Sequence, residues 1–442
     1  MLRKTVLTAA LAAAFAHPLS ACAADDKELA AIRAQIADMK ASYEARLQAL
    51  EARLQEAQAA PAAPVAPPVA SNNAFNPAIS MVLGGTMNNL SQDPARYRLQ
   101  GFVPTGGEAG PGKRGFNLGE SELTMAANID PMFAGQLTFS MTGEDTLGVE
   151  EAFVQTRALS NGLNLRVGRF LSSVGYLNSQ HAHAWDFVDA PLAYQAFFGG
   201  QYKPDGVQAK WLAPTDTFLE LGAELGSGAS FPGNGRSKNG FGAATVFVHA
   251  GDDIGNSGSW RAGLSYLRTG AAARSFDQDV LSVAFDGRSS VAVADAIYKW
   301  APNGNPTQQN FKLQGEYFRR KESGSLAAEG SSGNYDSSQS GWYLQGVYQF
   351  MPNWRAGLRY ERLDSGTPSI GLLRSGALAP DALASLAAYT PRRSSLMLDY
   401  SPSEFARLRL QVARDQSRPG VTDNQIFLQY IMSLGTHAAH AF

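Results

Sequence analysis

The chain has 442 residues, of which 10% are aromatic, 17% are charged and 44 are glycine, and its formal net charge is −2 at pH 7. This composition is too apolar for a disordered chain, and the near-neutral charge gives no basic field for nucleic acid. After the N-terminus, no apolar run approaches the roughly 20 residues that a membrane-spanning helix needs. If the protein enters a membrane, it does so as a β-barrel, whose strands need only alternate apolar residues.

The first residues predict an export signal. A basic start and an apolar stretch at 5–16 precede the small-residue segment Ala21-Cys22-Ala23. We expect a signal peptide over residues 1–23, with cleavage after Ala23, so that the mature protein lacks the single cysteine of the chain. A second interpretation stays open, because residues 19–22 also resemble a lipoprotein signal in which Cys22 becomes the acylated N-terminus.

Residues 24–58 are predicted to form a periplasmic α-helical coiled coil. Apolar residues recur from Leu29 to Leu54 at alternating spacings of three and four, with one stutter between Tyr43 and Leu47. A single helix with so narrow an apolar stripe is marginally stable in water, so we expect it to self-associate. A solvated helix or a peptidoglycan-contacting stalk is the alternative. A Pro/Ala-rich linker is predicted at 59–74.

From residue 75 to 442 the sequence predicts an all-β transmembrane barrel of about 16 antiparallel strands. Period-two segments lie at roughly 78–88, 116–129, 132–142, 148–158, 163–170, 206–212, 218–226, 240–250, 259–269, 291–300, 310–320, 340–350, 354–363, 393–400, 405–415 and 423–435. Tight turns such as Asp130-Pro131 alternate with long loops. Long loops are predicted at 89–115, 171–205, 321–339 and 364–392. This parity is typical of outer-membrane barrels with both termini in the periplasm.

Alternation within a strand assigns its two faces. In the segment 405–415, Leu408 and Leu410 are predicted to face lipid, whereas Arg407 and Arg409 face the lumen. Aromatic residues recur beside the turns, where a barrel places its interfacial girdles. A barrel of sixteen strands is wide enough to enclose an aqueous channel, so its inward polar residues become the candidate site.

The predicted pore lining combines inward strand residues with polar residues of loop 171–205, whose many aromatic and aliphatic side chains indicate that it packs against the barrel. The candidate lining residues are Arg166, His181, His183, Asp186, Asp189, Lys210, Glu220, Arg261, Lys312, Arg355, Arg359, Arg407 and Arg409. Acidic inward residues concentrate in the first half of the barrel and basic ones in the second. Opposed walls would set a transverse field that orients anionic or dipolar solutes, whereas a salt-bridged lumen would have no selectivity, and both interpretations stay open.

Four of the six histidines form two close pairs, His181 with His183 and His437 with His440. Imidazole nitrogen is a good ligand for Zn²⁺, and two aspartates lie near the first pair. These four histidines are therefore candidate zinc ligands. The alternative is that His181 and His183 only form hydrogen bonds inside the barrel. No other cofactor is expected.

Five sequence blocks carry a resemblance to a known family. They lie at 75–80, 106–112, 115–122, 181–191 and 211–216. They resemble a family of proteobacterial porin-like outer-membrane proteins that are often labelled zinc-regulated TonB-dependent outer-membrane receptors. The architecture is also similar to that of the phosphate-selective porin O/P family. The count of about 16 strands favours a porin over a TonB-dependent receptor, which needs about 22.

This resemblance implies an outer-membrane porin, a water-filled channel for passive diffusion of small hydrophilic or anionic solutes, with loop 171–205 as the constriction. It also implies a homotrimer in contact with outer-membrane lipid and lipopolysaccharide. The final strand and the terminal aromatic Phe442 are similar to the signal that the barrel-assembly machinery reads.

Three other function classes compete with this interpretation. A metal (zinc)-related uptake protein would use the histidine pairs, and an adhesin or structural tether would use the coiled coil as its main device. An outer-membrane hydrolase would need a Ser/His/Asp-type cluster. The inward residue His249 has no carboxylate predicted in register with it. We therefore expect no enzyme activity.

Overall fold

The computed structural model describes residues 77–435, except 106–108, 142–145, 158, 235–238 and 279–280, together with residue 40. The chain divides into two units, residues 1–74 and 75–442. The predicted signal peptide, Cys22 and the linker lie outside the described residues, as do His437, His440, Phe442 and all of the predicted coiled coil except residue 40. Within the described ranges, no helix is long and apolar enough to cross a bilayer.

Sixteen antiparallel strands of the described chain close into a barrel. In chain order they are β1 (Ala78–Leu90), β2 (Gly115–Leu118, continued by Ser121–Asn128), β3 (Phe133–Met141), β4 (Leu147–Thr156), β5 (Leu163–Arg169), β6 (Asp205–Leu212), β7 (Phe218–Gly226), β8 (Ala243–Ile254), β9 (Gly258–Gln278), β10 (Leu281–Trp300), β11 (Asn310–Ala328), β12 (Ser331–Met351), β13 (Trp354–Asp364), β14 (Arg392–Ser403), β15 (Ala406–Arg418) and β16 (Val421–Gly435). Each strand pairs with its sequence neighbours, and β16 pairs with β1 from Ser80 opposite Gly435 to Leu90 opposite Gln425. The predicted strand number and antiparallel order are confirmed.

The connections contain short elements of regular structure. They are the helices α1 (Leu192–Phe198) and α2 (Gly371–Arg374), the two-residue strand Ser369–Ile370 beside β12, and single 3₁₀ turns at Pro94–Arg96, Leu177–Ser179, Ala182–Ala184, Pro302–Gly304 and Ala384–Leu386. Of these, α1 and the 3₁₀ turns Leu177–Ser179 and Ala182–Ala184 lie in the segment that was predicted to pack against the barrel.

Side-chain exposure follows the predicted alternation. On β15, Leu408 and Leu410 are 46% and 45% exposed, whereas Arg409 between them is 1% exposed. The outward face of the barrel is therefore apolar and the inward face is polar, the reverse of a soluble protein. This is the arrangement that a hydrocarbon environment stabilises.

The barrel wall is uneven in height. Strands β5, β6 and β7 have 7, 8 and 9 residues, whereas β9 to β12 have 19 to 21. The prediction of a long loop at 321–339 is wrong, because β11 and β12 continue through it and turn tightly at Glu329 (φ 49°) and Gly330 (φ 75°). Small and polar residues fill this stretch, so it carries no apolar alternation by which a strand can be recognised.

Two apolar clusters fill the barrel interior. The first surrounds α1, where Tyr194 and Phe197 pack with Phe318 of β11 at ring-centroid distances of 5.0 and 5.8 Å. The second lies between the tall strands β9 to β12 and the connection after β13, and it includes Phe285 and Leu372. Burial of each such side chain contributes about 1.5–3 kcal/mol, so the interior is packed in its upper part rather than open throughout.

Candidate functional site

The connection between β5 and β6, residues 170–204, lies inside the barrel and is called the inserted loop below. All seven residues of α1 within it are buried. Its backbone is held by inward carboxylates of the wall. Glu224 accepts hydrogen bonds from the Ser172 hydroxyl (2.6 Å) and the Ser173 N–H (2.9 Å), and Glu316 accepts from the N–H groups of Tyr176 and Leu177 (3.1 and 3.0 Å).

The middle of the inserted loop is bound to the basic wall through two aspartates. Asp186 lies 2.5 Å from Lys312 Nζ and 3.3 Å from Arg355 Nη1. Asp189 lies 2.6 Å from Arg359 Nη2 and 2.5 Å from Arg393 Nη1. Four cations from strands β11, β13 and β14 therefore converge on two carboxylates of the loop.

These ion pairs fix the charge of both aspartates. Burial alone would raise the pKa of Asp186, but Lys312 and Arg355 outweigh it and hold that pKa well below its usual range. Burial acts on the pKa of Asp189 in the same way, and there Arg393 and Arg359 lower it. Both side chains are carboxylates at neutral pH.

The opposite side of the inserted loop carries two histidines that meet an acidic wall. His181 Nδ1 lies 3.0 Å from Glu122 Oε2 and 3.0 Å from Glu150 Oε2, and its Nε2 lies 3.1 Å from Glu151 Oε2. His183 Nδ1 lies 2.7 Å from Glu122 Oε1. Burial alone would lower the pKa of His181, but hydrogen bonds to the three glutamates outweigh it and raise that pKa well above its usual value.

A β-bulge explains why both Glu150 and Glu151 point inward. The pairing of β3 with β4 shifts between Thr138 opposite Glu151 and Phe139 opposite Val149, which leaves Glu150 as the extra residue. Glu150 and Glu151 are 1% and 5% exposed. Strict alternation would place one of them outside, so the sequence pattern alone does not indicate that both side chains point inward.

Two cavities lie on either side of the segment 182–185. The lower cavity, about 1070 Å³, opens at the end with tight turns and is lined by residues that include Glu122, His181, Asp186 and Arg407. The upper cavity, about 540 Å³, lies toward the end with long loops and is lined by residues that include Asp189. His183 lines both cavities. A route through the barrel along these cavities therefore passes this histidine.

The predicted pore-lining residues fall into two groups. Those that border one of the two cavities are His181, His183, Asp186, Asp189, Lys312, Arg355 and Arg407. Arg359 and Arg409 were predicted to line the pore but do not border either cavity, because the inserted loop covers them. Arg409 pairs with Asp399 (2.8 Å) and donates to the backbone oxygen of Trp185 (2.9 Å).

The other four predicted residues lie on the inner wall away from both cavities. They are Arg166, Lys210, Glu220 and Arg261. Lys210 Nζ is 3.7 Å from Glu220, the Arg166 guanidinium stacks 4.2 Å from the Phe153 ring centroid, and Arg261 lies 5.2 Å from that of Tyr176. The charged groups of Lys210, Arg166 and Arg261 are thus directed at neighbouring side chains of the wall.

His249 does have a carboxylate in register, contrary to expectation. It lies opposite Glu220 in the pairing of β7 with β8, and its Nδ1 is 3.0 Å from that carboxylate. Its Nε2 is buried and has no hydrogen-bond partner in the described part of the chain. A hydrolase triad needs a nucleophile hydroxyl at that nitrogen, so this pair does not form one.

One arginine of the basic wall was missed altogether. Arg393 is 1% exposed and bridges Asp189 to Glu361, whose nearest oxygen lies 3.0 Å from its Nε. Arg393 and the inward residue Asp399 lie an even number of positions apart on β14, so alternation places both side chains on the inward face. This alternation is the sequence signal by which Arg393 could have been predicted.

The chain matches no protein-family profile. It is 32% identical over 399 residues to an uncharacterised protein of Aquifex aeolicus (strain VF5), an alignment that covers 84% of this chain and 81% of that protein.

Solved structures with a similar fold are outer-membrane proteins. OmpT of Vibrio cholerae in its trimer form has a TM-score of 0.51 and 11% identity, over 80% of this chain and 98% of that one. The outer-membrane channel DcaP of Acinetobacter baumannii has a TM-score of 0.50 and 13% identity, over 80% and 96%. At these identities the likeness shows the fold, a closed barrel of the outer-membrane porin type. By sequence, the chain belongs to the same family as the uncharacterised Aquifex aeolicus protein.

Proposed function

We propose that the protein is an outer-membrane channel through which small hydrophilic solutes diffuse passively. The observation that carries this proposal is the pair of cavities, about 1070 and 540 Å³, that share His183 in their lining within a closed barrel. Charged and polar side chains border both cavities, whereas the outward face is apolar. Such a barrel encloses water and is solvated by lipid.

The outward surface supports a location in the outer membrane. Above the lipid-facing aromatic residues Tyr266 and Tyr317, the exposed cations Arg268, Arg288 and Lys321 surround a shallow groove of about 690 Å³ on the side of the long strands. None of these three forms an ion pair within 4 Å in the described chain. Outward cations beside an aromatic belt are placed to meet the phosphates of lipopolysaccharide or other lipids.

The charges at the lower cavity favour anionic solutes. Lys312 and Arg355 are neutralised there by Asp186, but Arg407 forms no ion pair among the described residues, and its buried Nε and Nη1 atoms have no hydrogen-bond partner. A guanidinium that borders a water-filled cavity and has no ion pair within 4 Å can attract a mobile anion. We therefore expect Arg407 to contribute to the selectivity.

The short strands β5 and β6 of the barrel wall support assembly as a homotrimer. A strand needs about 9–11 residues to span a bilayer, whereas β5 and β6 have only 7 and 8. Contact with a neighbouring copy would cover this part of the wall and remove the mismatch with the lipid. The predicted coiled coil at 24–58 and the trimer form of the Vibrio cholerae neighbour agree with such an assembly. Mass photometry in detergent would give three protomers, and a monomer would contradict this.

Solute flux into liposomes tests the proposed channel. Liposomes loaded with the purified protein should swell in small sugars at a rate that falls with sugar size, and the reversal potential in a KCl gradient should report preference for Cl⁻. Arg407→Gln should move the reversal potential toward K⁺, whereas Arg374→Gln, at an exposed residue of α2, should leave it unchanged. Absence of swelling would refute the channel, and an unchanged reversal potential in Arg407→Gln would refute the role of this arginine.

A further inference from the structure

Side chains beside the two cavities form a donor set for a divalent transition metal. Glu122, His181 and His183 each place one ligand atom within 4.8 Å of the others. The two imidazoles contact different oxygens of the same carboxylate, Glu122 Oε2 at 3.0 Å and Oε1 at 2.7 Å. Two imidazoles and a carboxylate are a common ligand set for Zn²⁺.

The spacing is close to what zinc requires. Tetrahedral Zn²⁺ with bonds of about 2.1 Å holds its donor atoms about 3.4 Å apart. The three ligand atoms lie within 4.8 Å of one another, so shifts in their separations of at most about 1.4 Å would bring them to this spacing. His181 and His183 belong to the inserted loop and Glu122 to β2, so the ligands come from two parts of the fold.

The surroundings carry an excess of buried negative charge, which is an independent indication. Glu150 is 1% exposed, its Oε2 lies 3.0 Å from His181, and its Oε1 has no hydrogen-bond partner among the residues that the structure describes. The nearest cation to that oxygen is Lys203 Nζ at 3.8 Å. Glu151 also contacts His181, and Glu120 and Glu150 form a second set of close carboxylates with Glu122. Buried carboxylates are stable only when they are paired or bind a metal.

We propose that Glu122, His181 and His183, with Glu150 as an additional carboxylate, bind one Zn²⁺ or a similar divalent transition-metal ion beside the two cavities that His183 lines, and that the bound ion reduces the conductance of the channel. Metal binding stands on the side-chain geometry alone, and only the effect on conductance rests on the proposed function. His183 lines both cavities and Glu122 lines the lower one. An ion held between them occupies the solute route.

Zinc binding should be measured first, without reference to transport, by titration calorimetry on the tag-free protein in detergent. Wild type should bind one equivalent, and His183→Ala and Glu122→Gln should each weaken binding at least about 10-fold, as loss of a metal-site group does. The control His437→Ala/His440→Ala removes the other histidine pair and should retain the wild-type affinity. A second control, His249→Gln, removes a buried histidine that faces a single carboxylate and should also retain it.

Single-channel recording with and without ZnCl₂ then tests the effect on conductance. Zinc should lower the wild-type current and leave that of His183→Ala unchanged. No calorimetric binding, or binding that survives both ligand variants, overturns the site. Binding with a zinc-insensitive current overturns the effect on conductance. Binding without any current refutes the proposed channel while the metal site stands.

Discussion

Asp189 is the residue whose replacement should release the inserted loop most selectively. Its carboxylate lies 2.6 Å from Arg359, 2.5 Å from Arg393, and accepts a hydrogen bond from Gln411 at 3.0 Å. Removal of one partner from a buried ion pair costs about 3–5 kcal/mol. In Asp189→Asn, both arginines keep their contact with Glu361, so the lower value of about 3 kcal/mol applies. That energy shifts the equilibrium toward the released loop on the order of 100-fold.

Limited proteolysis measures this shift. When opening is fast relative to cleavage, the rate of cleavage follows the population of the open form. Thermolysin should therefore cut between β5 and β6 on the order of 100-fold faster in Asp189→Asn than in wild type, with the site located by mass spectrometry. Asp216→Asn, in the exposed turn between β6 and β7, should be cut in the inserted loop at the wild-type rate. A change of less than about threefold in Asp189→Asn would refute the anchoring role.

Three further predictions follow from the same contacts and surfaces. The pKa values of Asp186 and Asp189 are lowered in the folded state, so the contribution of both carboxylates to loop anchoring is complete above about pH 4 and is lost as the pH falls through those lowered values. Pepsin should therefore spare the inserted loop at pH 4 and cut it at lower pH. Cleavage of the loop at pH 4 would contradict this. Leu358 is 56% exposed on the outward face, so Leu358→Arg should lower the free energy of unfolding in lipid vesicles by about 2–4 kcal/mol, and a loss under about 0.5 kcal/mol would show that it does not face lipid. A Cβ at Gly84 would lie 2.7 Å from the backbone oxygen of Glu120. Gly84→Ala should therefore reduce the free energy of unfolding by roughly 1–3 kcal/mol and lower Tm. An unchanged Tm would contradict this close packing.

The barrel was predictable from the sequence because lipid imposes a local rule. Each strand that crosses hydrocarbon must present apolar side chains at every second position, as at Leu408 and Leu410, and the turns between strands carry local signals of their own. Where the wall rises beyond the apolar band, as in the upper parts of β11 and β12, this constraint ends. The predicted loop at 321–339 was wrong for that reason.

The candidate site was only partly predictable because its contacts depend on how the barrel closes. Loop polarity identified His181, His183, Asp186 and Asp189, but Asp189 meets Arg359 across a separation of 170 residues. The bulge that turns Glu150 inward is visible only in the register between β3 and β4. Alternation reports which face a residue occupies, not which inward residues the inserted loop will cover.

We propose that this barrel conducts solutes along a route whose width the inserted loop sets. Single-channel recording in planar bilayers should therefore compare the wild-type protein with a variant that lacks residues 182–190. We expect stepwise currents from the wild-type protein and a larger unit conductance from the deletion variant. Folded wild-type protein that inserts but gives no steps, or a deletion variant with the wild-type conductance, would contradict it.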